Sequence, residues 1–297
     1  MIPWKDIPED EYLTSDAHNR DPDGQNIDRY GNCGHKLWEI AQENIPFLFC
    51  LGDLLNYPSR RSLLEIMYLK TKMPFRAIVG NHDLDMLNAE LASYHDKDYM
   101  LFGNDDETIG MHGHQAQSLW NPNKKVARRS IGQWIVRLGD AMEQVVPWSD
   151  NAITEPASKL SHLPFIPRGW KDGRSTYLDW GAKELCKHAV HTLVHGHDHE
   201  PGVFEYMGDG IWTSYIRCSS TDVLKKVVHK NTSHDAIVRR GSVIVDTGSF
   251  MPAHKIHPHG WYVKNDVAPF TWGVSERTFY RICPDGLEPL INLKEKI

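Results

Sequence analysis

The sequence predicts an α/β protein whose strands present ligand-bearing residues at their carboxyl ends, and three observations carry that expectation. Short, nearly continuous apolar runs such as Pro46-Phe47-Leu48-Phe49-Cys50-Leu51 alternate with stretches of helical period, as in sheets buried on both faces beneath helices. Several of these runs stop at Asp, Asn or His beside a glycine, and open α/β sheets place their ligands at strand carboxyl ends. The chain also holds 17 histidines, the densest group being His195-Gly196-His197-Asp198-His199 directly after the apolar Thr192-Leu193-Val194. Alternate residues of an extended segment point the same way, so His197 and His199 are expected to project together.

A chain of 297 residues with 40% hydrophobic content can bury a sizeable core. It reads as one domain, residues 1–297, with an insertion at about 115–191. No apolar run approaches the roughly 18 residues of a membrane span, and the amino terminus lacks the apolar core of a signal peptide, so a soluble, cytoplasmic protein is expected. Its five cysteines are scattered without a Cys-x-x-Cys pair, which indicates neither a disulfide framework nor a thiolate zinc site. The net charge of −6 disfavours indiscriminate nucleic-acid binding, which needs a basic footprint.

The elements follow in order. Residues 11–15 read as a strand that delivers Asp16-Ala17-His18. A helix over 34–44 places Leu37, Ile40 and Ala41 on one face. The strand 46–51 leads to Gly52-Asp53-Leu54-Leu55-Asn56. A helix at 59–72 precedes the strand 75–79, which ends in Gly80-Asn81-His82-Asp83. A helical piece at 84–94 is followed by a strand at 107–111 running into His112-Gly113-His114. Each motif includes a small residue that lets backbone and ligand come close.

Within the insertion, Ile131, Trp134, Ile135, Leu138, Met142 and Val145 recur at helical spacing, which predicts an amphipathic helix over 126–146. Lys124, Lys125, Arg128 and Arg129 crowd its start, a placement that suits either an anion contact or a solvated face. Residues 147–173 read as irregular, and a helix over 176–188 returns to the sheet. The carboxyl-terminal third reads as β, with strands at 210–217, 242–245, 278–282 and 290–293. His254, His257 and His259 fall in a loop that suits either the mouth of a pocket or an ordinary polar surface.

The ordered set Asp-x-His, Gly-Asp-x-x-Asn, Gly-Asn-His-Asp, His-Gly-His and Gly-His-x-His spans residues 16–199. In kind and order it resembles the calcineurin-like metallophosphoesterase family. The resemblance implies a four-layer α/β/β/α sandwich of two mixed β-sheets. It also implies a dinuclear metal site: Asp16, His18 and His199 with one ion, Asn81, His112 and His197 with the other, and Asp53 bridging. Two divalent ions are expected, Mn²⁺ first, with Fe, Zn²⁺ or Ni²⁺ also suited to mixed nitrogen and oxygen donors. The implied activity is hydrolysis of a phosphomonoester or phosphodiester by attack of metal-bound hydroxide. His82 is the implied general acid, and Asp83 positions its ring.

The chemistry requires such parts. Paired ions about 3.5–4 Å apart clamp the attacking and leaving oxygens of an in-line displacement. Two dications less the carboxylates Asp16 and Asp53 leave about two positive charges, enough to draw a phosphate to an acidic protein. An alkoxide leaves poorly, and imidazole titrates in the range needed to protonate it. Asn56, Arg60, Arg61, His114 and His195 are candidates for substrate contact or for supporting the ligands. Asn56-Tyr57-Pro58 stands where the protein phosphatase branch continues Asp-Arg-Gly, which argues against a protein substrate. Asp198 occupies a place often held by a hydroxyl residue. The expected partner is a phosphate-ester small molecule or a nucleotide, and the oligomeric state is left open. Two alternatives remain at this stage: a nucleotide pyrophosphatase of the same family, in view of the basic and aromatic insertion, and a non-catalytic metal-binding scaffold.

Overall fold

A computed structural model describes residues 1–17, 33–54, 76–78, 80, 83, 99–104, 107–116, 173–197, 201–218, 223–230, 238–250 and 268–294. The elements in chain order are β1 (Ile2–Pro3), β2 (Tyr12–Thr14), α1 (Cys33–Asn44), β3 (Leu48–Cys50), β4 (Arg76–Ala77), β5 (Tyr99–Phe102) and β6 (Thr108–Met111). After them come α2 (Gly173–His188), β7 (Thr192–His195), β8 (Gly202–Gly208), β9 (Ile211–Cys218), β10 (Val223–Lys230) and β11 (Val243–Asp246). The chain closes with β12 (Gly248–Ser249), β13 (Ala268–Gly273), β14 (Thr278–Cys283) and β15 (Gly286–Asn292). The helices expected at 59–72, 84–94 and 126–146 lie outside the described residues.

The strands form two sheets. One runs β1-β15-β14-β13-β2-β3-β4 with β12 beside β13, the other β10-β9-β8-β11-β7-β6-β5. Both are mixed: β2, β3 and β4 are mutually parallel in the first, as are β6, β7 and β11 in the second. Antiparallel strands complete each sheet.

Side-chain alternation explains the layering. Along the strands, Leu13, Phe49, Val194, Val243, Val245, Phe270 and Phe279 point into one cluster shared by both sheets. Their neighbours Tyr12, Leu48, Cys50 and Tyr280 point outward to Leu37, Trp38, Ala41 and Ile45 of α1 and the turn after it. On the second sheet Leu193, Ile244, Ile109 and Met111 face outward onto Leu178, Ala182 and Leu185 of α2. A period of two with both faces apolar makes each central strand read as a continuous hydrophobic run. The result is the expected α/β/β/α order, with the inner layer closed by stacked Phe270 and Phe279 and by an edge-on Phe49–Phe102 pair. Each such fully buried aliphatic or aromatic side chain contributes about 1.5–3 kcal/mol.

Two details bear on the site. The final part of the expected insertion, α2, belongs to the outer layer of the second sheet. The strands β5, β8, β10 and β13 add to those expected from sequence. Among the described residues no helix is long and apolar enough to cross a membrane.

Candidate metal centre

The parallel strands set the site. From the first sheet β2 leads to Asp16, β3 to Asp53 and β4 to Gly80, while in the second β6 leads to His112 and β7 to His197. These ends are stitched together by main-chain bonds. The Asp16 amide donates to the Gly52 carbonyl (3.0 Å), and the Gly196 amide donates to the His112 carbonyl (3.0 Å). The two sheets are tied where the His197 amide donates to the Asp16 carboxylate (2.8 Å). His112 Nδ1 lies 2.9 Å from the Leu51 carbonyl, leaving Nε2 on the side of Asp53, 3.2 Å from its carboxylate.

Asp53, His112 and His197 each offer one donor atom, and these atoms all lie within 4.8 Å of one another. Asp16 and His112 are fully buried and Asp53 almost so. The imidazoles of His112 and His197 meet edge to face at 5.0 Å, with His114 5.3 Å and 6.3 Å from their rings. Burial alone would lower the His112 pKa, but the Asp53 and Asp16 carboxylates, aided by the Asp53 hydrogen bond and by Asp83, reverse this and push it up to about 9. The buried donor set therefore draws positive charge to itself, which is what a cation site requires.

The backbone is built for close approach. Asp16, Asp53 and His197 all take positive φ, at 56°, 49° and 76°, a conformation that costs a non-glycine residue energy and collects at functional sites. The adjoining glycines are needed for space. A Cβ on Gly52 would stand 2.6 Å from the His112 ring, one on Gly80 would enter the Asp53 carboxylate, and one on Gly196 the Asp16 carboxylate. Donor types, burial and clearance all suit a divalent cation at Asp53, His112 and His197.

The sequence-predicted residues are distributed as follows. The structure gathers Asp16, Asp53, His112, His114 and His197 at one end of the sandwich. His18, Asn56, Arg60, Arg61, Asn81, His82 and His199 lie outside the described residues. One expectation needs correction. His197 follows the end of β7 in a left-handed conformation, so the chain turns at Gly196-His197, and alternation along a strand does not set the direction of this imidazole. The main chain is held there by the bond from the His197 amide to the Asp16 carboxylate.

His195 lies under the outer layer. It is 1% exposed, its ring stacked on Tyr177 of α2 (5.0 Å, 11°) with Trp180 edge-on at 5.8 Å. Its Nδ1 is 2.9 Å from the Gly196 carbonyl and 3.8 Å from the Asp246 carboxylate. These contacts hold the ring against α2, next to the Gly196 turn. Asp246 received no role from the sequence. The available signal was positional: β11 runs parallel to β7, and the register pairs Asp246 with His195.

Two facing mixed sheets with acidic and imidazole donors gathered at the ends of their parallel strands define a metal-site α/β sandwich. The chain belongs to the calcineurin-like phosphoesterase family, whose model matches residues 12–201. No curated protein matches the chain at a significant level. Among solved structures it is similar to a metallophosphoesterase from Sphaerobacter thermophilus, at 13% identity over 96% of this chain and 90% of that one, with a TM-score of 0.35. It is also similar to Vps29 of Chaetomium thermophilum, at 13% identity over 95% of each chain, with a TM-score of 0.39.

Proposed function

We propose that the chain hydrolyses a phosphomonoester or phosphodiester with the help of two divalent cations, Mn²⁺ foremost. The observation that carries this reading is the convergence of Asp53, His112 and His197 in a chain of this family. In the proposed assignment Asp16, His18, Asp53 and His199 hold one ion, and Asp53, Asn81, His112 and His197 hold the other. When bound, the ions supply positive charge for the phosphate oxygens and lower the pKa of water toward about 7.

The chain's own residues supply the rest. His82 gives its proton to the leaving oxygen, and the buried floor formed by Asp16, His112 and His114 limits access of bulk water from below. His195 and Asp246 support the turn that presents His197. Asn56, Arg60 and Arg61 follow Asp53 closely enough in sequence to serve as phosphate contacts, a task for which guanidinium groups are well shaped. The insertion at about 115–191, whose α2 joins the outer layer of the second sheet, is assigned the part of a cap. The substrate is a small phosphate ester or a nucleotide.

The test is hydrolysis of p-nitrophenyl phosphate, bis-p-nitrophenyl phosphate and a nucleotide pyrophosphate by chelated protein, with Mn²⁺, Ni²⁺ or Zn²⁺ restored separately. Metal-restored turnover of the monoester or diester is expected. Turnover confined to the pyrophosphate would move the substrate to that class, and bound metal with no turnover of any of the three would overturn the reading.

A further inference from the structure

The Asp83 carboxylate lies between two of the loops just described. One oxygen, Oδ2, accepts from the Gly80 amide at 3.0 Å and from the Leu54 amide at 3.2 Å. Those amides adjoin Asn81 and Asp53, the residues proposed to hold metal from the first sheet. Asp83 is 3% exposed, so both bonds form away from bulk water, where a bond to a charged acceptor is stronger than one between neutral groups.

The Asp53 loop needs such a restraint. Gly52 and Asp53 both take positive φ, at 102° and 49°, and a strained segment persists only when its surroundings over-determine it. Upstream, the ladder already serves: the Leu51 amide donates to Thr14, and the Gly52 carbonyl accepts from Asp16. On the downstream side Leu54 has passed the end of β3, and its amide donates to the Asp83 carboxylate. The Gly80 loop approaches so closely that a Cβ there would enter the Asp53 carboxylate and backbone. One carboxylate oxygen thus bridges two chain segments just beyond the ends of the paired strands β3 and β4.

We propose that Asp83 is a positioning residue for the metal centre, a staple that fixes the Asp53 loop against the chain at Gly80 and so holds the Asp53 carboxylate in place. The inference rests on the metal-dependent reading above for its consequence, though not for its geometry. It assigns Asp83 a task separate from the orientation of the His82 ring. An oxygen acceptor is sufficient for that task, and a full negative charge is not needed.

The test compares Asp83→Asn, which keeps one carbonyl oxygen, with Asp83→Ala, which keeps none. Hydrogen exchange at the Leu54 and Gly80 amides is read in the chelated full chain, and Mn²⁺ affinity is read by titration. The wild type should protect both amides without metal. Asp83→Ala should lose that protection and bind Mn²⁺ about tenfold more weakly, the effect typical of a residue supporting metal ligands. Asp83→Asn should retain protection and stay within about threefold of wild-type affinity.

Protected amides and unchanged affinity in Asp83→Ala would overturn the staple. An Asp83→Asn variant as weak as Asp83→Ala would overturn it too, because charge would then be the active property. Should Asp83→Ala fail to fold, free exchange of the two amides in the wild type, or their exposure in Asp83→Asn, decides against the proposal, and protection in both decides for it. If the wild type takes up no Mn²⁺, the metal-dependent reading fails and the exchange pattern alone judges the staple.

Discussion

Both ends of the sandwich bury carboxylates, and they use them differently. At the end away from the proposed site, Asp10 accepts from the amides of Glu11, Ser275 and Glu276 at 2.7, 2.9 and 3.1 Å. Its negative charge is answered by main-chain dipoles, and the outcome is a tied pair of turns. At the other end Asp53 faces the His112 imidazole and Asp16 accepts from the His197 amide; both stand on left-handed backbone and are approached by glycines with no room for a methyl group. Burial of a carboxylate is common to both ends. Convergence of other donors on it distinguishes the second, and that convergence could hold a metal ion.

The comparison can be broken by substitution, beginning with the largest expected effect. Asp53→Asn removes the charge proposed to be shared by both ions. Losing several kcal/mol of transition-state stabilisation should lower turnover of bis-p-nitrophenyl phosphate by on the order of 10³-fold. Steady-state kinetics at saturating Mn²⁺ checks this, and wild-type turnover would remove Asp53 from the site. His82→Gln should reduce turnover by roughly 10²-fold for an alkyl phosphate and far less for a nitrophenyl ester, because only the poor leaving group needs a proton. Equal losses with both esters would assign His82 a different task.

Smaller effects separate stability from chemistry. Gly196→Ala places a methyl group against the Asp16 carboxylate and the Ser15 side chain, an overpacking expected to cost about 1–3 kcal/mol. Thermal melting should show the loss, and Mn²⁺ titration should show weaker binding, since Asp16 must shift. Asp10→Ala should cost a similar or smaller amount, about 1–3 kcal/mol for buried amides left without their acceptor, while Mn²⁺ affinity stays at the wild-type value. A loss of metal binding in Asp10→Ala would erase the distinction between the two ends.

Much of this architecture was legible in the residues. The strands at Leu48–Cys50, Thr192–His195 and Val243–Asp246 announce themselves because both faces are buried, so no polar alternation interrupts the apolar run. The helix Cys33–Asn44 matched its apolar spacing, and Gly173–His188 begins three residues before the expected 176. Other strands carry weaker signals. In β13 the sequence Ala268-Pro269-Phe270-Thr271-Trp272-Gly273 contains a proline that reads as a loop. In β10, Val223-Leu224-Lys225-Lys226-Val227-Val228-His229-Lys230 pairs its residues by chemistry instead of alternating them. Both strands are held by their neighbours β14, β2 and β9, a tertiary cause that no local window contains.

The site divides along the same line. Motif order along the chain already groups Asp16, Asp53, His112 and His197. The His197 turn, by contrast, depends on an amide reaching Asp16 from a strand 181 positions away in sequence. The role of Asp246 beside His195 likewise depends on register. Local sequence shows which residue types gather at strand ends, while long-range pairing decides the direction in which each one points.

The measurement that tests the central claim most directly is the number of Mn²⁺ ions bound per chain, followed by electron paramagnetic resonance during titration of chelated wild-type protein and of Asp53→Asn. The account predicts two ions on the wild type and weakened binding of both in the variant, because one carboxylate serves the pair. Two ions retained by Asp53→Asn, or no uptake by the wild type, would contradict it.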